Sequence, residues 1–264
     1  MKFGALDTRM KKYYENVSKT KLLRRTPVAL RIDGKAFHTF ARSFKKPFDE
    51  ILIQSMQNTM KYLCANIQGC VFGYTQSDEI TLILLDYRTF TTSAWFDYEV
   101  QKMCSIAASM ATMVFNKELT KIANDYIESA LETQNISNDE KKYITTLKKA
   151  MTNGAMFDCR AFNIPKEEVT NLVFWRQQDA AKNSVQMVAR CYFSQKELNK
   201  KNISEMQDML HEKFDVNWND FPTEQKRGSA CLKGEKGWYI DHEMPILKNE
   251  DRNYLDDLIY IGEE

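Results

Sequence analysis

Glycine and proline are scarce in this sequence, with nine Gly and five Pro among 264 residues. So little turn and linker material excludes a collagen-like or low-complexity chain. Histidine is scarcer still, at three. The six cysteines are Cys64, Cys70, Cys104, Cys159, Cys191 and Cys231. They form no Cys-x-x-Cys pair and have no His at ligand spacing, so the pattern of a structural zinc site is missing. Such usage fits reduced thiols, and a cytoplasmic protein is the expectation. No run approaches the roughly 18 apolar residues that cross a bilayer, so no membrane partner is expected. Met1 to Lys12 is charged throughout and lacks an apolar core of signal length. An excess of one charge sign is missing too: the net charge is +1. That balance neither announces nucleic acid nor excludes it, because a basic face is easily offset elsewhere.

What the chain does have is core material. Hydrophobic residues make up 43%, with 13 Met, 15 Phe, 12 Tyr and 4 Trp, enough for one sizeable soluble core. Val28 to Ile32 is an apolar run ending at Asp33-Gly34, the pattern of a buried strand stopped by a turn. Phe48 to Leu63 has helical spacing, with Pro47 and Asp49 as start signals. Val71 to Thr75 and Ile80 to Leu85 flank four polar residues, Gln76 to Glu79, and read as a hairpin. Trp95 to Phe115 reads as a long helix whose small residues allow close approach to a sheet. Asn116 to Lys149 reads as solvated helix, and Met156 to Ile164 as a strand. The order predicts an α+β fold: a ferredoxin-like βαββαβ palm of antiparallel strands with helices on one face. Beyond it, Ser184 to Phe193 and Ser194 to Phe214 carry helix signals, the second a Ser194/Glu197 capping box. Gly237 to Ile240 and Leu258 to Ile261 are strand-like.

In that strand order the first and third strands are central neighbours, so Asp33 and the Asp78-Glu79 turn come together. Gathered carboxylates repel unless a cation intervenes. Magnesium prefers oxygen ligands, with substrate phosphates and water completing its shell. Two such ions about 4 Å apart would activate an attacking hydroxyl and stabilise a leaving phosphate oxygen. The competing reading is two solvated turns, because Asp-Gly and Ser-Asp turns are common. Gly34, Lys35, Ala36, Phe37 and His38 follow the strand directly and are positioned to offer backbone N–H groups to phosphates. Lys45 and Lys46 stand at the next helix start, where a phosphate meets both ammoniums and the helix end. A basic loop facing water is the alternative.

The strings RIDGKAFHTFARSFKKPFDE (31–50) and YTQSDEITLIL (74–84) resemble the tRNA-His guanylyltransferase family. FDCRAFNIP (157–165), NLVFWRQQDA (171–180) and KRGS (226–229) follow in the same order. The resemblance implies a polymerase-type palm that extends RNA in the reverse, 3′-5′ direction. It implies two magnesium ions on Asp33, Asp78 and the Gly34 carbonyl, supported by Glu79. Gly34 to His38, Lys46 and Ser77, with Asp33 and Asp78, would hold the nucleoside triphosphate, ATP or GTP. Arg160 would contact phosphate or RNA. Residues 1–133 would carry the metal and nucleotide motifs. Residues 134–264, mainly helical, would complete the palm sheet and contribute tRNA binding. A homotetramer is implied, in which one tRNA touches several subunits.

One stretch departs from the family. Its tRNA-His enzymes continue WRQ-x-D with one residue and then His-Ile-Asn-Asn. Here the four positions are Ala181, Lys182, Asn183 and Ser184. That favours the guanylyltransferase-like branch, which repairs 5′-truncated tRNAs by copying the opposite strand, over strict tRNA-His recognition. The expected tRNA contacts are Arg160, Lys182, Asn183, Arg190, Lys226 and Arg227. Arg24, Arg25, Lys148, Lys149, Lys200 and Lys201 are further cations whose ordinary role would be a solvated surface charge. Two other readings stand beside this one. A nucleotide cyclase on a similar palm would show a Gly-Gly-Asp/Glu-Glu-Phe turn, which is missing. A tRNA-binding module without catalysis would need no intact carboxylate set.

Overall fold

A computed structural model describes residues 4–132 and 136–261. The division expected between residues 133 and 134 lies outside the described residues. The strands are β1 (Val28–Gly34), β2 (Cys70–Gln76), β3 (Glu79–Leu84), β4 (Phe157–Asn163), β5 (Ser229–Gly234) and β6 (Gly237–Asp241). Helices α1 (Ala5–Tyr13), α2 (Phe37–Phe40), α3 (Glu50–Asn66), α4 (Val100–Leu131) and α5 (Asn138–Asn153) precede β4. After it come α6 (Lys166–Tyr192), α7 (Gln195–Leu198), α8 (Ile203–Phe214), α9 (Thr223–Arg227) and α10 (Asn253–Ile259).

The strands form one antiparallel sheet in the order β4-β1-β3-β2-β5-β6. β3 is buried at every position because both of its faces are covered. One face carries Val28, Leu30, Ile32, Ile80 and Leu82 against α3, α4 and α5. Ala107 and Ala111 are fully buried in that layer, the close approach their size predicts. The other face carries Ala29, Phe72, Tyr74 and Ile83 against α6 and α10. The helices between the first four strands, α3 and α4, share one face, and the mainly helical residues after β4 supply a second layer on the other. Val185, Val188 and Ala189 in the second half of α6 bind α7 and α8 in a smaller core.

Several boundaries differ from the sequence pattern for identifiable reasons. Trp95–Tyr98 is a 3₁₀ turn, and the helix proper runs from Val100 to Leu131. Charged residues hide the continuing buried stripe of Leu119, Ala123 and Ile127. The following segment is not merely solvated, since Tyr143, Ile144 and Leu147 of α5 are buried. The Ser194 capping box forms, but it starts only a four-residue helix. A second capping box, Asn202 with Glu205, starts α8. The strand-like Leu258 to Ile261 instead spans the last two residues of α10 and the two that follow it, and Leu255 and Ile259 of that helix pack on the sheet at i, i+4 spacing.

Asp49 holds the start of α3. It is 5% exposed, and its carboxylate accepts from the Ile51 and Leu52 amides, the Lys45 amide and the Tyr143 hydroxyl. Asp49→Ala removes the cap and strands a buried hydroxyl, so we expect a loss of about 2–3 kcal/mol. Urea unfolding measures it, and an unchanged midpoint would contradict this role.

Candidate active site

β1 is hydrogen-bonded on both edges, which fixes what lies beside Asp33: Glu79 on β3 and Asp158 on β4. Side chains alternate along a strand, so Arg31 and Asp33 share the face of Ala29, the one that α6 covers. β2 and β3 continue to the Gln76–Glu79 pair, so the turn is only Ser77-Asp78, with Ser77 in the left-handed region (φ 50°). The Gly34 amide donates to the Asp78 carbonyl at 3.1 Å, tying this turn to the end of β1. A Cβ on Gly34 would lie 3.0 Å from Asp78 Oδ2 and 2.7 Å from the Phe37 ring. Glycine is therefore what lets the Asp78 carboxylate sit against β1. The Ser77 hydroxyl donates to Asp78 Oδ1 at 2.9 Å. Burial pushes the Asp78 carboxyl above its ordinary value, the Ser77 bond partly opposes this, and the charges of Asp33 and Glu79 add to the rise.

Glu79 has a different setting. It is 5% exposed, and its two oxygens pair with Arg176 Nε at 2.7 Å and an Arg31 terminal nitrogen at 2.9 Å. Arg176 also reaches Asp179 at 3.0 Å. Sequence reasoning names Glu79 as a support for the metal ligands. In the structure its oxygens hold two guanidiniums, which fix α6 against the floor of the site.

A cavity of about 680 Å³ opens over these groups. Its floor includes Asp33, Ser77, Asp78 and Glu79, and its walls include His38, Lys45, Lys46, Arg176, Asn183 and Arg190. Phe37 lines it while its ring is buried against Phe40, Phe115 and Phe157. The size suits a drug- or nucleotide-sized ligand.

Other expected site residues stand apart from this cavity. Gly34, Lys35, Ala36, Arg160, Lys182, Lys226 and Arg227 are not among its lining residues. The Lys35 amide already donates to the Met156 carbonyl at 2.8 Å, and that of Gly34 to Asp78, so neither is free for a phosphate. Lys46 reaches the Ala41 carbonyl at 3.2 Å. Lys226 is held by the Asn219 carbonyl and stacks over Trp218. Arg227 is half-buried with its Nε unpartnered among the described residues. Between them and β5, Gly228 adopts φ 83°, and a Cβ there would meet the Thr75 carbonyl at 2.3 Å. The KRGS string thus packs α9 onto the hairpin that carries Asp78. Arg24 is bound to Asp86 and Asp97, so it is not a free surface cation.

Sequence reasoning missed Arg31, Asp158, Arg176 and Asp179 as members of the site. Arg176 and Asp179 lie inside the quoted WRQQD string, and their one-turn spacing was the available signal. Arg31 and Asp158 become neighbours of the site only through strand register.

Asp33 and Asp78 are the carboxylates suited to a cation. Among the described residues, no three or more His, Cys, Asp or Glu side chains gather as a metal cage. A divalent ion would thus draw on two carboxylates, a backbone carbonyl and substrate phosphates, the usual habit of magnesium. The crowded, half-buried Asp78 and its side-chain-free neighbour Gly34 fit that arrangement.

A carboxylate floor beneath a cavity edged with Lys and Arg is the build of a phosphoryl-transfer cleft, and similarity to known proteins fixes its class. The family description "tRNAHis guanylyltransferase" matches residues 7–165. A solved bacterial tRNA(His) guanylyltransferase (Thg1)-like protein in complex with ATP is 40% identical, with a TM-score of 0.81 over 97% of this chain and 100% of that one. One in complex with GTP is 35% identical, with a TM-score of 0.73 over 97% and 100% of the two chains. The tRNA(His) guanylyltransferase of Saccharomyces cerevisiae is 24% identical over 79% of this chain and 83% of its own length. The chain belongs to the tRNAHis guanylyltransferase family and is, like its members, a nucleotidyltransferase. No helix among the described residues is long and apolar enough to cross a membrane.

Proposed function

We propose that this protein is a template-directed 3′-5′ nucleotidyltransferase that adds nucleotides to the 5′ end of tRNA and repairs 5′-truncated ends. The observation that carries this reading is the Asp33–Asp78 carboxylate floor beneath a cavity of about 680 Å³. Support comes from the ATP and GTP complexes of the bacterial relatives. The order β4-β1-β3-β2, with α3 and α4 on one face, is read as a ferredoxin-like palm. Residues 1–133 supply its motifs, and residues 134–264 complete its sheet and bind tRNA.

The reaction has two stages. A 5′-phosphate oxygen of the tRNA attacks the α-phosphorus of ATP, and pyrophosphate leaves. The 3′-hydroxyl of the incoming nucleotide then attacks the activated 5′-phosphorus, and AMP leaves. Asp33, Asp78 and the Gly34 carbonyl would hold two magnesium ions, which supply charge neutralisation and a more acidic hydroxyl. His38 and Lys46 reach the cavity from its walls and position the triphosphate. Gly34 to Phe37 and Ser77 shape the turn around it. Arg160, Lys182, Asn183, Arg190, Lys226 and Arg227 belong to the tRNA-binding part of the proposal, which further takes the protein as cytoplasmic and homotetrameric.

Repair is favoured over strict tRNA-His addition by residues 181–184. Ala181 and Lys182 offer no imidazole or amide to a specific base, and Ser184 is buried, accepting from Trp218 Nε1 at 2.9 Å. The test uses 5′-labelled tRNA-His and several other tRNAs, each lacking its first nucleotide, with ATP, magnesium and all four nucleoside triphosphates. We expect extension of all of them at comparable kcat/KM. Extension of tRNA-His alone would restore the narrower activity. No extension of any RNA would refute the proposal.

A further inference from the structure

We propose that Trp175 is the stacking platform for the terminal base of the RNA end being extended, a role that rests on the RNA-extending reading above. Trp175 lies on α6 and is 51% exposed, although a tryptophan usually buries most of its ring. It is also held in place. Arg31 lies 5.5 Å from the ring centroid and Arg176 lies 4.6 Å from it. Both guanidiniums are fixed by Glu79, next in sequence to Asp78 and across the strand from Asp33. The network that braces the carboxylate floor thus also orients an exposed indole.

Its position differs from that of the cavity. Arg176 lines the cavity, whereas Trp175 does not. The indole instead lies over Arg31 of β1, two residues from Asp33 on the same face. A two-substrate transfer needs two approaches to the reacting centre. The cavity serves a triphosphate, and the Trp175 side is where the second reactant, a polynucleotide end, can reach the carboxylates. Charge matches that occupant. Arg160 stands opposite Arg31 on β4, is exposed, and pairs with no acidic side chain among the described residues. An indole for the terminal base and a free guanidinium for the adjoining phosphate are what a nucleic-acid end requires. Exposed tryptophan on a helix is not itself unusual. What separates this one is its bracing by both arginines of the Glu79 network.

Stacking on an aromatic ring tolerates any base, which suits an enzyme whose specificity comes from pairing. The experiment measures steady-state addition to a truncated tRNA, and ATP binding, for wild type, Trp175→Phe and Trp175→Ala. Removing one base stack should raise KM for tRNA in Trp175→Ala by roughly 10-fold or more. Trp175→Phe should keep most of the affinity, and ATP affinity should stay at the wild-type value in both. Intrinsic fluorescence should be quenched by tRNA, with a smaller quench in Trp175→Phe. An unchanged KM for tRNA in Trp175→Ala, or an equal loss of ATP affinity, would overturn the platform. Wild type that extends no RNA would instead overturn the functional reading beneath it.

Discussion

Asp78→Asn lowers kcat for nucleotide addition by about 10²–10³-fold or more, the scale of losing one preorganised electrostatic group, and raises the melting temperature at neutral pH. Both effects have one cause. The Asp78 carboxyl is held above its ordinary value, first by burial and further by Asp33 and Glu79. A carboxyl whose pKa is higher folded than unfolded favours the folded state when protonated. The penalty is therefore full above the folded value and is relieved as pH falls through it towards the unfolded value. Asparagine removes the charge at every pH while keeping the shape and an acceptor for Ser77. Catalysis needs the charged form, which a bound cation favours, so magnesium affinity and nucleotide addition should both weaken as acid protonates Asp78. Thermal unfolding and single-turnover kinetics test the two halves together. A variant that is both inactive and less stable would indicate a structural role instead.

Arg176→Ala costs about 3–5 kcal/mol of stability, because it leaves a buried carboxylate short of a partner. Glu79 keeps only Arg31 in that variant, and Asp179 loses its partner at 3.0 Å. Arg176→Lys should not restore the loss, since an ammonium cannot span Glu79 and Asp179 as a guanidinium does. Arg176→Ala combined with Glu79→Gln should recover part of it, because the amide removes the unpaired charge. Guanidinium denaturation reads all three. A change below about 1 kcal/mol in Arg176→Ala would mean the pair behaves as a solvent-exposed bridge.

Much of the sheet was readable in the sequence, and the reason is local. Val28 to Ile32 and Ile80 to Leu85 are apolar apart from Arg31 and Thr81, the composition that burial on both faces requires. Asp33 and Asp78 stand out in the sequence because each lies where such a run meets a turn. The second layer was not readable. α6 mixes charged and apolar residues and buries Arg176 and Gln177 beside Val173, so its stripe is blurred from Lys166 onward. β5 follows the turn at Gly228 and has only three buried positions, Ser229 to Cys231, too few to stand out. The end of α10 was misread because Leu258 to Ile261 is a short continuous apolar run, which periodicity alone does not separate from a strand. The site's ion-pair network was invisible for another reason: Glu79, Arg31 and Arg176 are brought together by register and helix packing, over separations that no local pattern records.

The central claim is that the Asp33–Asp78 cleft copies a template while building in the 3′-5′ direction. The direct measurement uses a tRNA lacking its first nucleotide, prepared in four versions that differ only in the base opposite the gap. Each is incubated with ATP, magnesium and one nucleoside triphosphate at a time. The account predicts addition of the complementary nucleotide in every version, its identity changing with the opposing base, and no addition by Asp33→Ala or Asp78→Asn. Addition of guanosine regardless of the opposing base, or addition that survives loss of either carboxylate, would contradict it.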